Sequence, residues 1–288
     1  MAQTSMTDHS PATDSGCLFV VATPIGNIED ISVRAIETLK AVSLIAAEDT
    51  RHSLRLCQHY GISTPMISLH EHNEVARVEQ IAQKLAQGDS IALISDAGTP
   101  LISDPGFKLV RELRAQGYKI SPIPGPSALI TALSVAGIAT DSFSFFGFLP
   151  AKSSSRVQKH QELVNRVETL VFYESSHRIL ASLEDAAKVY GERHAVVARE
   201  LTKTYETILD GSLSELIQCV KQDDNQTKGE FVLIISGQEK SKQEQSFDSK
   251  QLLSELLQEL PPNKAAKIAA KLTGEKKKDL YQMALELK

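Results

Sequence analysis

The chain has 288 residues, of which 42% are hydrophobic and 23% are charged, and its formal net charge at pH 7 is -5. This length predicts two domains, and the net charge excludes a uniformly basic protein, so any nucleic-acid binding must use local patches. The three cysteines have no CxxC spacing, which excludes a disulfide framework and a thiolate zinc site and fits a cytoplasmic protein. No apolar run approaches the ~20 residues of a membrane span, which excludes a transmembrane helix.

In chain order, residues 1–16 come first. They are polar and lack the basic and apolar segments of a signal peptide, so we predict a disordered tail. From residue 17 onwards, apolar runs alternate with helical patterns, which is typical of a parallel or mixed sheet covered by helices. The predicted strands of this half span residues 17–23, 43–49, 64–70, 90–95 and 118–124. The predicted helices span residues 31–41, 74–88, 107–117 and 126–137, the last with Pro126 in its first turn.

The second half has a different rhythm, and its closer strand spacing predicts hairpins and an α+β arrangement. Strands are predicted at residues 142–150, 168–175, 194–200, 205–211 and 229–236, with a helix at 154–167. The predicted organisation is an α/β domain at 17–127, an α+β domain at 128–236, a polar linker at 237–250 and a helical extension at 251–288. The last two helices of the extension join at Gly274 and have the proportions of a helix-turn-helix.

Three loops at predicted strand ends are rich in Gly, Pro, Ser and Thr: "ATPIGN" (22–27), "SDAGTPLISDPG" (95–106) and "PGPSA" (124–128). In an open α/β sheet, the loops at the carboxyl ends of the strands line the ligand crevice. No strand ends in GxGxxG and GxxxxGK[ST] is absent, which argues against a standard dinucleotide site and a Walker ATPase. The loops therefore predict a ligand site of another kind.

The ordered motifs "LFVVATPIGNIEDIS", "SLIAAEDTRHS", "LHEHNE", "LISDAGTPLISDPG", "PIPGPSALITALSVAG" and "FYESSHRI" resemble the ribosomal RNA small subunit methyltransferase I family of the tetrapyrrole methylase superfamily. The resemblance covers residues 17–236, and the helical end resembles the extension of that family. It implies two α/β domains with S-adenosylmethionine in the cleft between them. It also implies a homodimer that methylates the ribose 2′-hydroxyl of a cytidine, expected to be cytidine 1402 of 16S rRNA, within the small ribosomal subunit.

The resemblance also implies which residues bind the cofactor. By position, these are Ile25, Asp96, Gly98, Thr99, Ile102, Ser103, Ser127, Ala128 and Tyr173. The cofactor is cationic, so a carboxylate such as Asp96 is a suitable neighbour. Two interpretations of Asp104 remain open, because it can face the ligand or cap a helix that begins near Pro105.

The methyl acceptor would be a weak nucleophile that needs alignment and a base or orienting group, for which Glu48 and Asp49 are the candidates. Arg51 and Lys203 are candidates for phosphate contact. The tail from Lys264 to Lys288 has seven lysines against three acids, which favours RNA binding through residues such as Lys276, Lys277 and Lys278. The "HEHNE" segment lacks a full set of metal ligands, and we predict no metal.

Three other functions fit part of the sequence. A tetrapyrrole methylase or a diphthine synthase-like protein methylase would share the cofactor loops but leave the basic tail unexplained. A non-enzymatic ribosome-assembly factor would explain the tail but not the loops. Cofactor binding separates the last of these from the enzymes.

Overall fold

The computed structural model describes residues 15–239 and 249–287. The chain divides into two units, Met1–Gly237 and Gln238–Lys288, and each has a hydrophobic core of its own. Most of the predicted tail (1–16) and linker (237–250) lies outside the described residues. Ser249, at the end of the predicted linker, already begins a helix.

The first half of unit 1 is a five-stranded sheet in which every pairing is parallel. Its strands are β1 (Cys17–Val21), β2 (Leu44–Ala47), β3 (Met66–Ser68), β4 (Ile91–Ile94) and β5 (Lys119–Ile123), in the order β3-β2-β4-β1-β5. Its helices are α1 (Val33–Ala41), α2 (Thr50–His59), α3 (Glu74–Ala86) and α4 (Phe107–Ala115). An all-parallel sheet buries both faces. Here α1 and α2 cover one face with residues such as Leu39 and Cys57, and α3 and α4 cover the other with Leu85 and Leu113.

The second half of unit 1 is a mixed five-stranded sheet. Its strands are β6 (Phe143–Phe148), β7 (Thr169–Ser175), β8 (His194–Arg199), β9 (Thr207–Ser212) and β10 (Glu230–Ile235), in the order β6-β7-β10-β8-β9. Only β6 and β7 pair in parallel among these strands. Its helices are α5 (Ala128–Val135), α6 (Ser153–Leu163), α7 (Ile179–Tyr190) and α8 (Leu213–Gln222). Helices α6 to α8 cover one face, while Leu129 of α5 and Ile25 of the first loop pack against the other.

Unit 2 contains three helices within its described residues: α9 (Ser249–Glu259), α10 (Pro262–Thr273) and α11 (Lys277–Glu286). Small alanines let the helices approach one another, and Leu253 and Leu280 fill the space between them. Gly274 ends α10 in the left-handed region at φ +73°, which permits the sharp turn into α11. The predicted junction at Gly274 is confirmed.

The fold-class prediction is confirmed, and each described strand falls on a predicted apolar run. Three helices were not predicted: α2, α7 and α8. The prediction that Pro126 lies in the first turn of a helix is wrong, because Ser127 is the N-cap and α5 begins at Ala128. Among the described residues, no helix is both long and apolar enough to span a bilayer.

Candidate functional site

The loops that follow β1, β4 and β5 meet at one cavity of about 610 Å³. Two backbone hydrogen bonds join the first two loops, from Thr23 N–H to the Gly98 carbonyl (2.8 Å) and from Gly98 N–H to the Thr23 carbonyl (3.0 Å). The Thr99 hydroxyl donates to the carbonyl of Pro126 at 3.0 Å, which joins the third loop. The three loops therefore form one continuous wall.

The opposite wall comes from the second sheet. Tyr173 of β7 lines it, and its hydroxyl accepts a 3.2 Å hydrogen bond from the backbone N–H of Leu129 at the start of α5. Burial raises the pKa of Tyr173 above its ordinary value. Phe148, at the end of β6, lies edge-on to Tyr173 with 5.6 Å between the ring centroids.

The structure brings all nine predicted cofactor-binding residues to this cavity. They are Ile25, Asp96, Gly98, Thr99, Ile102, Ser103, Ser127, Ala128 and Tyr173. The cavity lies between the sheet of the first half and the sheet of the second, both within unit 1. Convergence of residues from distant parts of the sequence makes a shared ligand the natural interpretation of the set.

Three of the carboxylates that line the cavity come from the first half of unit 1: Glu48, Asp96 and Asp104. The backbone N–H of Asp96 donates to the Glu48 carboxylate at 3.3 Å. Burial raises the pKa of Glu48, and the negative charges of Asp96 and Glu71 raise it further. Burial likewise raises the pKa of Asp104 to about 6, with a further contribution from Glu48 and Asp96. The cavity thus concentrates negative charge that a cationic ligand would relieve.

Asp104 does not cap a helix. The N-cap of α4 is Gly106, whose φ of +119° starts the helix at Phe107 without any side-chain cap. A Cβ at residue 106 would lie 2.8 Å from Leu93, so the position favours glycine on two grounds. The capping interpretation is wrong, and Asp104 faces the cavity instead.

Asp49 and Arg51 do not line the cavity. Asp49 is the N-cap of α2, where its carboxylate accepts from the Arg51 backbone N–H at 2.8 Å and forms a 2.9 Å ion pair with the Arg51 guanidinium. The hydrogen bond from Arg51 lowers the pKa of Asp49 to about 2. A carboxylate of such low basicity is a poor proton acceptor. Its position outside the cavity and its low basicity both favour Glu48 over Asp49 as the proton acceptor.

Lys203 lines the cavity but is already paired with two carboxylates. Its ammonium lies 2.9 Å from Glu200 and 2.8 Å from Glu230. Burial alone would lower the pKa of Lys203, but the hydrogen bonds to Glu230 and Glu200 outweigh it and raise that pKa. The predicted phosphate role would therefore require Lys203 to exchange partners. Lys276, Lys277 and Lys278 belong to unit 2, where they are exposed at the start of α11.

The loop that carries Lys203 contacts the first loop directly. Thr202 accepts a 3.0 Å hydrogen bond from the backbone N–H of Asn27. A Cβ at Gly26 would lie 2.5 Å from Lys203 and 2.9 Å from the backbone carbonyl of Leu201. Only glycine permits this approach of two segments that are distant in sequence.

Sequence reasoning missed several residues of the cavity wall, among them Phe148 and Glu230. The glycine that interrupts the alternation in "FSFFGF" was an available signal for Phe148. Glu200 is a local partner, three residues from Lys203, but Glu230 gave no local signal because it lies on β10. In the part of the chain that the structure describes, no group of three or more His, Cys, Asp or Glu residues is arranged to hold a metal ion.

Comparison with known proteins places the chain in a family. A family model described as Tetrapyrrole (Corrin/Porphyrin) Methylases matches residues 17–217, and one described as RsmI C-terminal HTH domain matches residues 243–288. A relative from Escherichia coli O157:H7, named Ribosomal RNA small subunit methyltransferase I, is 51% identical over 98% of this chain and 99% of its own length. The chain belongs to the ribosomal RNA small subunit methyltransferase I family. Its Pasteurella multocida relative of the same name is 54% identical over 94% of this chain and 98% of its own length.

This member of the methyltransferase I family also resembles solved structures of low identity. Diphthine synthase has a TM-score of 0.59 at 14% identity, over 77% of this chain and 90% of the other. Uroporphyrin-III-C-methyltransferase from Thermus thermophilus has a TM-score of 0.54 at 17% identity, over 77% and 94%. These similarities support the α/β methylase fold. The family assignment makes the chain a methyltransferase, and the helix-turn-helix prediction for its end is confirmed.

Proposed function

We propose that the protein transfers a methyl group from S-adenosylmethionine to the ribose 2′-hydroxyl of a cytidine, cytidine 1402, in the decoding region of 16S rRNA. The observation that carries the proposal is the cavity in which three strand-end loops converge with the carboxylates of Glu48, Asp96 and Asp104. Near-full-length relatives with the name Ribosomal RNA small subunit methyltransferase I support the RNA substrate.

The residues of the cavity fit S-adenosylmethionine. The cofactor has a sulfonium cation and an α-amino group, and Glu48, Asp96 and Asp104 offer carboxylate oxygens to such charges. A volume of about 610 Å³ falls within the range of ordinary small-molecule pockets. When bound, the cofactor supplies an electrophilic methyl group.

The loops would hold the cofactor chiefly through backbone groups. Gly98, which lies beside Ile25, has φ +79°, a conformation that side chains disfavour. Ser127 and Ala128 form the start of α5, where backbone N–H groups without helical partners can donate to the ligand. Tyr173 closes the site from the second sheet, and burial raises its pKa above the ordinary value.

Glu48 is our candidate for the group that receives the proton of the ribose hydroxyl. It is half-buried in the cavity wall, and burial raises its pKa towards the working pH, which suits a general base. Its carboxylate would accept a hydrogen bond from the hydroxyl, orient the oxygen and take the proton. Asp49 remains the second candidate, with the lower basicity described above.

The basic helices of unit 2 would contribute affinity for RNA. The stretch from Lys264 to Lys288 carries seven lysines and three acids, and lysines neutralise phosphates without reading sequence. We propose that the substrate lies within the small ribosomal subunit, that the enzyme acts as a homodimer and that it works in the cytoplasm. The names of the relatives support a ribosomal substrate, and such a substrate fits an enzyme of the cytoplasm. The family resemblance supports the dimer.

The test is transfer of tritium from labelled S-adenosylmethionine to purified 30S subunits from a strain that lacks the protein. Nuclease digestion and nucleoside analysis would locate the label. We expect 2′-O-methylcytidine with the wild-type protein and a rate at least ~100-fold lower with Glu48→Gln, which is typical of the loss of a general base. Cofactor binding without label on subunits or free rRNA would overturn the proposed substrate and favour a tetrapyrrole or protein acceptor. Absence of cofactor binding would favour an assembly factor.

A further inference from the structure

Phe148 is an exposed aromatic residue in the wall of the cavity. It is 56% exposed and ends β6, an edge strand of the second sheet. Among the described residues, only Ile102 and Phe148 are both exposed large apolar side chains and part of the cavity lining. An apolar surface kept open to solvent in the wall of a cavity indicates a ligand contact.

A bulge in β6 turns Phe148 towards the cavity. Phe145 pairs with Val171 of β7, but Phe148 pairs with Tyr173, so β6 has one residue more than β7 in this interval. Side chains alternate between the two faces of a strand, and one extra residue moves those that follow to the other face. Without the bulge, Phe148 would share the face of Phe146, which packs in the core with Phe172.

The bulge contains Gly147, whose backbone conformation favours glycine. Gly147 has φ +64°, a conformation that side chains disfavour, and a Cβ there would lie 3.0 Å from the Ser103 hydroxyl. Bulges are uncommon in parallel pairs and are frequent beside active sites, where they re-aim a side chain. The Phe148 ring then lies 5.6 Å from Tyr173, in an edge-to-face arrangement that leaves a face of Phe148 free.

We propose that the free face of Phe148 stacks on the base of the target nucleotide. The inference rests on the proposed function, because it assumes that the acceptor is a ribose hydroxyl of RNA. The hydroxyl must enter the cavity, and the base is attached to the same ribose, so the base must lie at the cavity mouth. Enzymes that modify a nucleotide commonly hold its unstacked base against aromatic side chains. Phe148 supplies such a surface at this position.

The experiment compares Phe148→Leu, Phe148→Tyr and Phe143→Leu with the wild type. Phe143 begins the same strand, is 39% exposed and does not line the cavity, so it is a matched control. Methyl transfer to 30S subunits gives kcat/KM, calorimetry gives the affinity for S-adenosylmethionine, and thermal unfolding reports on the fold. We expect Phe148→Leu to lower kcat/KM by about tenfold or more, which is the size of one base–aromatic stack.

The same variant should leave cofactor affinity and thermal stability close to those of Phe143→Leu. Phe148→Tyr keeps the aromatic face and should restore kcat/KM to within about threefold of the wild type. Unchanged kcat/KM in Phe148→Leu, while the wild type methylates the subunit, would overturn this inference alone. Loss of cofactor affinity with Phe148→Leu would also overturn it, by assigning Phe148 to the cofactor. Failure of the wild type to methylate any RNA would overturn the proposed function itself.

Discussion

The carboxylate of Asp96 accepts a 3.0 Å hydrogen bond from the backbone N–H of Asp49. In return, the backbone N–H of Asp96 donates to the side chain of Glu48. These two bonds join the loop after β4 to the end of β2, so Asp96 has a structural role and also faces the cavity. The first Ser-Asp pair of the loop 95–106 thus organises the cavity edge, and the second pair places Asp104 in the same wall.

Asp96→Asn should separate these two roles. An amide oxygen can still accept from Asp49, so we expect thermal stability to change little, whereas the negative charge near a cationic ligand is lost. We expect the affinity for S-adenosylmethionine to fall about tenfold, as measured by calorimetry, since a charge-assisted contact contributes roughly 1.5–3 kcal/mol.

Asp30→Asn is a suitable control, because Asp30 is exposed and does not line the cavity. It should bind the cofactor as tightly as the wild type. Equal affinities for Asp96→Asn and Asp30→Asn would mean that the charge of Asp96 does not act on the ligand.

Much of this cavity could be predicted from the sequence, since the ends of parallel strands meet at one edge of a sheet. The position of Asp104 could not be predicted from the sequence pattern. The Asp-Pro pair at 104–105 matches the statistical signature of an N-cap and first helical turn. Instead, Gly106 is in the left-handed region, so the helix begins at Phe107 and Asp104 lies outside it, in the wall of the cavity. Backbone geometry, which the sequence pattern did not specify, decided between two reasonable interpretations.

Contacts between segments that are distant in sequence are the second feature that could not be predicted. Lys203 has a nearby partner in the sequence, Glu200, but it is also held by Glu230, which lies on β10. Phe148 looks like a core residue of an alternating strand, but the register shift beside Gly147 exposes it. Both outcomes depend on the register of neighbouring strands, which is determined by tertiary packing rather than by local propensity.

The stability of the ligand-free protein should depend on pH through Asp104. Its pKa is about 6 in the folded protein and 3.8 as an ordinary value, so the folded state binds this proton more tightly. Folding is therefore disfavoured as pH rises from about 4 to 6, and the penalty is constant above that range. Asp104→Asn removes it and should raise the free energy of unfolding at pH 7.5 by about 1 kcal/mol, a figure reduced for the partial exposure of the side chain.

Urea titrations at pH 4 and pH 7.5 would check this expectation. The difference between Asp104→Asn and the wild type should be present at pH 7.5 and nearly absent at pH 4. Cofactor affinity should change with pH in the opposite direction to stability. A cationic ligand needs the charged carboxylate, so it should bind the wild type less tightly below about pH 6. A gain in stability that is equal at both pH values would contradict the titration of Asp104.

Gly26→Ala should weaken both the fold and cofactor binding. The new Cβ would meet the backbone carbonyl of Leu201 at 2.9 Å, and a backbone carbonyl cannot move aside as a flexible side chain can. We expect a loss of about 1–3 kcal/mol in the free energy of unfolding, which is usual for overpacking.

Gly61→Ala serves as the comparison for Gly26→Ala. Gly61 has φ +62° and open space around its Cβ position, so alanine there adds backbone strain away from the cavity. It should cost about 1–2 kcal/mol and leave cofactor affinity unchanged. If Gly26→Ala likewise spared cofactor affinity, the contact between Gly26 and the loop at Leu201 would be only structural.

Replacement of Lys276, Lys277 and Lys278 by glutamine should weaken RNA binding without an effect on the cofactor. The three lysines are exposed at the start of α11, and the cavity proposed for the cofactor belongs to unit 1. Each lost phosphate contact removes one released counterion, so the slope of log K against log salt concentration should become shallower by about 2 to 3.

A matched triple variant at Lys40, Lys108 and Lys221 removes the same charge from exposed positions of unit 1. It should leave the salt slope for 30S subunits unchanged, because a general change in net charge does not remove a specific phosphate contact. Calorimetry should give the wild-type cofactor affinity for both triple variants. Equal salt slopes in the two variants would place the RNA-binding surface elsewhere, whereas a loss confined to the α11 variant would assign it to the helical extension.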